Sequence, residues 1–409
     1  MKNNKKNVLF LWPPQPMFYG SIFKHITFVG ETLDYVIKHT DANVKFIDAG
    51  VEMYSINYLV NSFKTNDYLV IFGETYTIEM TRKMAKLAKQ ANHKIKIIGF
   101  GRIFCYLKDY YLKDGYFDAI VTNGHWDKPI ADFINGTVKE KCAQYLTING
   151  YVGKIYKLKP NEWGIPRIDL LPIEKYFELA GKRQLEICVT RGCPYNCAFC
   201  SEKFVYGKEE GRRSIDSIIE YINKTHKICD SYYFDATTFT YNREWVKELC
   251  GRLMTLPYKI RWVTTTRLDQ LDEEIIKIMA ASGCFRISIG LETIQKNVQK
   301  SINKNINMKH MHYIFNLFKK YGIKPRVLLI AGLPGQTKED LIYTFSEVKA
   351  KKYDFRIKEY APYNLILKDG VSDDIIRSFD RTEYYNDNVK INELNSEDYI
   401  DMIFSDTGR

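Results

Sequence analysis

Between residues 7 and 136, short runs of β-branched and aromatic residues alternate with stretches whose apolar positions recur every three or four residues. The runs "VLFLW" (8–12), "VKFID" (44–48), "YLVIF" (68–72), "IKIIG" (95–99) and "DAIVT", starting at Asp118, predict strands. Between them, "ETLDYVIKH", a segment around Ile56–Phe63 and "IEMTRKMAKLAKQA" predict helices, the last with Met80, Met84, Leu87 and Ala88 on one face. Strands that are apolar throughout and separated by helices imply a parallel sheet covered on both sides. Such sheets take ligands at the carboxyl ends of their strands, which here read "PPQP", "GETYT", "GFGRIF" and "TNGHWD".

A connector follows over residues 137–184, with a hairpin expected around "YLTINGYVGKIYKL" and a proline-punctuated stretch, "NEWGIPRIDLLPIEKYF". A second alternating series then predicts six strands: "LEICVT" (185–190), "SYYFDA" (231–236), "IRWVTTT" (260–266), "CFRISIG" (284–290), "PRVLLIAG" (325–332) and "FRIKEY" (355–360). Six βα units suggest a full or partial barrel of parallel strands with its chemistry at the carboxyl ends. The expected organisation is α/β: a doubly wound Rossmann-like domain (1–136), the connector, a (β/α)6 partial barrel (185–361) and an acidic segment (362–409), where "SEDYIDMIF" predicts a closing helix.

Composition narrows the class. With 45% hydrophobic and 27% charged residues in 409, the chain reads as globular, and no apolar run reaches the length of a membrane span. Its lysine-rich start resembles a leader only until Pro13 and Pro14 interrupt the apolar stretch, so it reads as a basic tail feeding a buried strand. The net charge of +11 is uneven: residues 369–409 carry eleven acidic against four basic groups, which leaves +18 on residues 1–368. A solvated lysine-rich surface accounts for this, as would an acidic partner; no arginine-rich run or RNA-binding motif points to nucleic acid. Nine cysteines without an export signal suit a reducing cytoplasm, where clustered thiols mean metal or catalysis. Gly99-Phe100-Gly101 begins a dinucleotide fingerprint, but Phe104 stands where its third glycine belongs and the motif follows the fourth strand, so it is set aside.

The chemistry concentrates in "RGCPYNCAFC", residues 191–200. Cys193, Cys197 and Cys200 follow the first strand of the second series, with no fourth cysteine or histidine nearby to close a zinc site. Three thiolates would leave one iron of a [4Fe–4S] cubane open. Cys229, Cys250 and Cys284 are scattered over predicted elements and read as core.

CxxxCxxC in this place resembles the signature of the radical S-adenosylmethionine (SAM) superfamily. "YYFDATTFTYNREWVKELC", "IRWVTTTRLDQLDEEIIKIMAASGCFRISIGLET" and "VLLIAGLPGQTKED" extend the resemblance over most of 185–360. It implies that Cys193, Cys197 and Cys200 hold a [4Fe–4S] cluster whose free iron takes SAM, from which one electron releases a 5′-deoxyadenosyl radical. It also implies Phe199 against the adenine, Ser288 and Glu292 toward the ribose or methionine part, and Gly332, Pro334 and Gly335 beside SAM. Arg267 would reach the SAM carboxylate or else pair with Asp269 or Asp272; Asp235 would face the radical centre or cap a turn.

The first domain, through "VLFLWPPQP", "GFGRIF" and "DAIVTNGHWD", is similar to that of cobalamin-binding radical SAM enzymes. No DxHxxG is present, so no histidine is marked as a cobalt ligand. The likeness implies a corrin gripped by Pro13, Pro14, Gln15, Glu74, Thr75, Tyr76, Gly99, Gly101, Arg102, Gly124 and His125. The function it implies is methylation of an unactivated carbon of a specialised metabolite or small peptide, with electrons from an acidic flavodoxin or ferredoxin. Cyclisation, rearrangement or oxidation by the same radical, or a non-catalytic cluster-bearing scaffold or sensor, stand as alternatives.

Overall fold

The computed structural model describes residues 5–14, 26–52, 54–74, 77–138, 145–153 and 156–359. Gln15, Thr75, Tyr76 and the acidic segment with its expected closing helix lie outside these residues.

The first sheet contains β1 (Lys6–Trp12), β2 (Ala42–Asp48), β3 (Tyr68–Phe72), β4 (Lys96–Phe100) and β5 (Ala119–Val121), followed by a hairpin of β6 (Tyr145–Thr147) and β7 (Gly150–Val152). Its order is β2-β1-β3-β4-β5-β6-β7, with β1–β5 parallel and the hairpin antiparallel at the edge. The hairpin assigned from sequence to the connector thus extends the first sheet. Helices Glu31–His39, Ile56–Lys64 and Ile78–Ala91 form where the apolar period predicts them. Val8, Leu9, Phe10 and Leu11 are all buried, as expected for a strand covered on both faces.

The second sheet contains β8 (Gln184–Cys188), β11 (Ser231–Asp235), β12 (Trp262–Thr266), β13 (Cys284–Glu292), β14 (Lys324–Ala331) and β15 (Asp354–Glu359), and between β8 and β11 the chain forms a separate two-stranded ribbon of β9 (Thr190–Arg191) with β10 (Gly211–Arg212). Its six main strands pair in parallel and in chain order, β8 at one edge and β15 at the other: a six-stranded partial barrel. Alternation sorts the faces. In β11, Tyr232 and Phe234 are buried in the core, while Tyr233 and Asp235 on the opposite face are half-buried. Phe234 and Trp262 meet with ring centroids 5.0 Å apart.

A buried ionic network joins the two sheets where the barrel begins. Glu31, which opens the first helix, accepts the Cys188 backbone N–H at 2.9 Å. It also pairs with Arg191 at 3.1 Å and Arg213 at 2.8 Å. Arg191 reaches Asp127 at 2.5 Å, and Thr32 ties Asp127 back to the first helix. Trp163 of the connector lies beside both guanidiniums, 4.8 and 5.5 Å from its ring centre. Burial pushes the Glu31 carboxyl up, against the pull of Arg213 and Arg191. The balance is sensitive, because removing one partner of a buried pair strands the other charge. Arg213→Ala should therefore destabilise the fold by about 3–5 kcal/mol, read from the urea unfolding midpoint; a loss under about 1 kcal/mol would show that the network does not hold the domains together.

Candidate active site

The loop after β8 is pinned before any cofactor binds. Cys193 N–H donates to the Gly207 carbonyl at 3.2 Å, and Thr237 Oγ1 donates to the Gly192 carbonyl at 2.7 Å. Ala198 N–H donates to the Ile302 carbonyl at 3.0 Å, and Asn303 Nδ2 to the Asn196 carbonyl at 3.4 Å. Ile302 and Asn303 thus hold the middle of the cysteine loop. Cys193 and Cys197 are buried and Cys200 is half-buried. Burial pushes the Cys193 thiol up and that of Cys200 to about 12, so ligation by thiolate must release protons.

Among the described residues, no three histidine, cysteine or carboxylate side chains gather as a single metal ion requires. In a cubane each thiolate would sit on a different iron, and Cys193, Cys197 and Cys200 all stand in this one loop.

Several residues expected near SAM do meet here. Ala198 and Phe199 pack on a small apolar cluster of Val298, Ile302, Ile330 and Leu333, separate from the main core. Glu292 is buried at the end of β13 and pairs with Lys304 at 2.8 Å; Lys304 in turn stands 5.6 Å from the centre of the Phe199 ring. The Glu292 backbone has φ +62°, a left-handed conformation that costs a non-glycine residue about 1–3 kcal/mol. The register of β13 against β14 shifts at the same point.

Arg267, at the end of β12, pairs with Asp269, one of its two expected partners, through Nε at 2.9 Å and Nη2 at 2.8 Å. Asp272, the other, pairs with Arg243 instead. The Arg267 guanidinium also lies 4.0 Å from the centre of the Tyr195 ring and donates to Cys197 Sγ at 3.4 Å. Ser288 is half-buried within β13, in register with Thr265 and Arg326. Asp235 ends β11 opposite Cys188. Gly332 follows β14 with φ +79°, and its N–H donates to Gln336 Oε1 at 2.8 Å.

The strand ends of the first sheet turn toward this loop, and several residues expected to grip a corrin are engaged by the protein itself. Gly99 makes room for Phe104, since a Cβ there would fall 2.4 Å from that ring. Gly101 has φ +115° and could not carry a Cβ without meeting the Gly73 carbonyl at 2.3 Å. Arg102 pairs at 2.5 Å with Glu202, two residues past Cys200, and stands 3.9 Å from Glu74. Gly124 donates its N–H to the Val205 carbonyl at 2.7 Å, and a Cβ on it would meet the Tyr206 ring at 2.4 Å. His125 packs edge-on against Tyr206, with centroids 5.6 Å apart. Pro13 and Pro14 follow β1, where Trp12 stacks on Phe72 at 4.1 Å and Phe28 lies 5.6 Å from Phe72. These rings belong to the buried core of the first sheet.

Lys304, Tyr195, Glu202 and Tyr206 do not stand out in the sequence. Their partners lie between 12 and 105 positions away at no repeating interval, so only the fold brings them together. Arg191 of "RGCP" is not singled out from the sequence either, and its carboxylate partners lie 64 and 160 residues distant.

Residues 187–348 match the family model of the radical SAM superfamily, and the chain carries a radical SAM domain around these three cysteines. An uncharacterised methyltransferase of Pyrococcus horikoshii is 24% identical over 351 residues, which is 80% of this chain and 76% of that protein. The bacteriochlorophyllide d C-12(1)-methyltransferase of Chlorobaculum tepidum is 24% identical over 52% of this chain and 46% of its own length. Among solved structures, the radical SAM methyltransferase TsrM of Kitasatospora setae aligns over 88% of this chain and 75% of its own, with TM-score 0.70 and 14% identity. The cobalamin-dependent SAM radical enzyme OxsB aligns over 92% of this chain and 56% of its own, with TM-score 0.70 and 15% identity. Among the described residues, no helix is long and apolar enough to cross a membrane.

Burial, followed by the charge of Arg191, holds the His125 imidazole down near 4. The folded state thus refuses a proton that the unfolded chain accepts near pH 6.5. Stability from the neutral ring is intact above that pH and is lost as pH falls from about 6.5 to about 4, by up to about 1.4 kcal/mol per unit. Urea midpoints taken across this range should slope downward, and His125→Asn should flatten the slope; an unchanged slope would place the acid sensitivity elsewhere.

Proposed function

We propose that the chain is a cobalamin-dependent radical SAM methyltransferase acting on an unactivated carbon of a small molecule or small peptide. The observation that carries this reading is the three-thiol loop at the head of a six-stranded parallel barrel, walled by the strand ends of a second parallel sheet. The fold shared with TsrM and OxsB and the methyltransferase names of the relatives support it. When bound, the cluster and SAM supply a radical able to take hydrogen from carbon, and cobalamin supplies a methyl carrier.

The protein's own share is binding, orientation and exclusion of water. Cys193, Cys197 and Cys200 would ligate the cluster, and Phe199, Glu292 and Gly332 would hold SAM. Lys304 pairs with the Glu292 carboxylate and so fixes its direction inside a buried site. Pro13, Pro14 and Glu74, with the backbone of the first sheet's strand ends, would face the corrin. TsrM is described with tryptophan bound, which favours a small substrate.

Reconstituted protein given SAM with a deuterated methyl group should yield a product three mass units heavier than unlabelled methylation, and Cys197→Ala should abolish it together with 5′-deoxyadenosine release. Turnover without label would remove the methylation claim. A second reading, cyclisation without methyl transfer, has a specific observation behind it: the anaerobic magnesium-protoporphyrin IX monomethyl ester cyclase of Rubrivivax gelatinosus is 26% identical over 45% of this chain and 33% of its own length. That outcome would appear as unlabelled product. The +18 charge of residues 1–368 favours an acidic flavodoxin or ferredoxin as donor. Its reduction rate should fall as ionic strength rises from 0.01 to about 0.15 M, and a rate indifferent to salt would count against it.

A further inference from the structure

We infer that Arg267 sets the reduction potential of the cluster by hydrogen-bonding one of its thiolates. The inference rests on the radical SAM reading, because Cys197 must be a cluster ligand for the contact to matter. Three contacts fix the guanidinium. Nε and Nη2 grip the Asp269 carboxylate at 2.9 and 2.8 Å, the Tyr195 ring lies beneath at 4.0 Å, and Nη1 points to Cys197 Sγ at 3.4 Å. The fork that could clamp a carboxylate of SAM is occupied by Asp269, and the edge left over meets sulfur. A role as the SAM carboxylate partner is therefore not the one this geometry favours.

Charge decides the direction. A guanidinium stays cationic at every accessible pH, and the Arg267 side chain is only 14% exposed, whereas Asp269 is 45% exposed. Water screens the carboxylate more than the cation, so the net field at Cys197 is positive. Reduction adds one electron to the cluster, and a nearby cation with an N–H···S bond stabilises that extra negative charge. Arg267 thus raises the potential. Tyr195, inside the cysteine loop itself, keeps the guanidinium plane against the loop and makes the contact persistent. Arg267 acts here as a positioning and tuning residue, since it touches the ligand and not the substrate.

The test compares cluster potentials at equal loading. Wild-type, Arg267→Gln and Asp269→Asn proteins are reconstituted, their iron and sulfide measured, and the clusters titrated electrochemically with the reduced form followed by electron paramagnetic resonance. At a fixed potential the reduced-to-oxidised ratio in Arg267→Gln should fall about tenfold, the size of one charge-assisted hydrogen bond, which is about 59 mV for one electron. Asp269→Asn, which frees the guanidinium from its counter-charge, should move the potential the other way. A merely structural role would not give opposite signs. If Arg267→Gln loses its iron, Asp269→Asn carries the test, and a null or downward shift there overturns the proposal. Equal potentials in wild-type and Arg267→Gln at equal iron overturn it while leaving the radical SAM reading standing. A wild-type chain that takes up no [4Fe–4S] cluster removes both.

Discussion

The structure turns on a cluster of four charges sealed between its two sheets. Glu31 and Asp127 come from the first sheet's layer, Arg191 and Arg213 from the start of the barrel, and none of the four is more than 3% exposed. Burying charges is a poor route to stability in itself, because desolvation consumes most of the Coulomb gain. What the network provides is geometry. Each arginine has acceptors in fixed directions: Arg213 also donates to the Cys188 carbonyl at 2.6 Å and the Gly164 carbonyl at 2.9 Å. An apolar seam of the same area could slide, whereas this one has a single register. Arg191 lies two residues before Cys193, so the register of the seam is also the position of the cysteine loop.

From that anchor the rest of the site follows as a set of shared walls. The helix Glu202–Val205, directly after the third cysteine, takes contacts from the turn after β4 through Arg102 and from the turn after β5 through Gly124. Groups that a sequence reading assigns to a bound corrin therefore spend their hydrogen bonds on the cluster side of the molecule. The carboxyl ends of both sheets face one region, and any ligand there is bounded by both. Two cofactors that must exchange groups gain from such an arrangement, because their separation is set by side chains packed to near-crystalline density.

Most of the architecture was legible in the sequence because it follows from periodicity. All eleven strands predicted in the two series exist, and "ETLDYVIKH", "YLVIF" and "IEMTRKMAKLAKQA" coincide with the observed helix Glu31–His39, strand Tyr68–Phe72 and helix Ile78–Ala91. The three cysteines were legible for a different reason: their ligand spacing is local, and so is the strand before them. The partners were not. Lys304 opposite Glu292, Tyr195 beneath Arg267 and Glu31 beneath Arg191 are products of chain topology, which leaves no interval to read. The glycines of "GFGRIF" misled in an instructive way. They look like a cradle for a ligand, and what fills the space beside Gly99 is Phe104, three residues beyond the pair. A glycine in a sequence announces that something approaches closely, and it does not say what.

Departures from ordinary local rules also gather at one end of the barrel. Glu292 takes a left-handed backbone that a glycine would adopt freely, Lys304 keeps its ammonium at 5% exposure, and a guanidinium is aimed at a sulfur. Each choice costs stability, and a barrel selected only to fold would have replaced each by a cheaper residue. Their coincidence within one strand-end layer, beside the thiols of Cys193 and Cys200 whose protons burial holds on, is hard to reconcile with a purely structural loop. The same layer is otherwise well packed, with Phe199 seated on Val298, Ile302, Ile330 and Leu333. Strain held in place by good packing is what a site needs when a charged cofactor must be received without rearrangement. The cost is borne elsewhere, in the two apolar-faced sheets, and the ionic seam at Arg191 delivers that support to the loop.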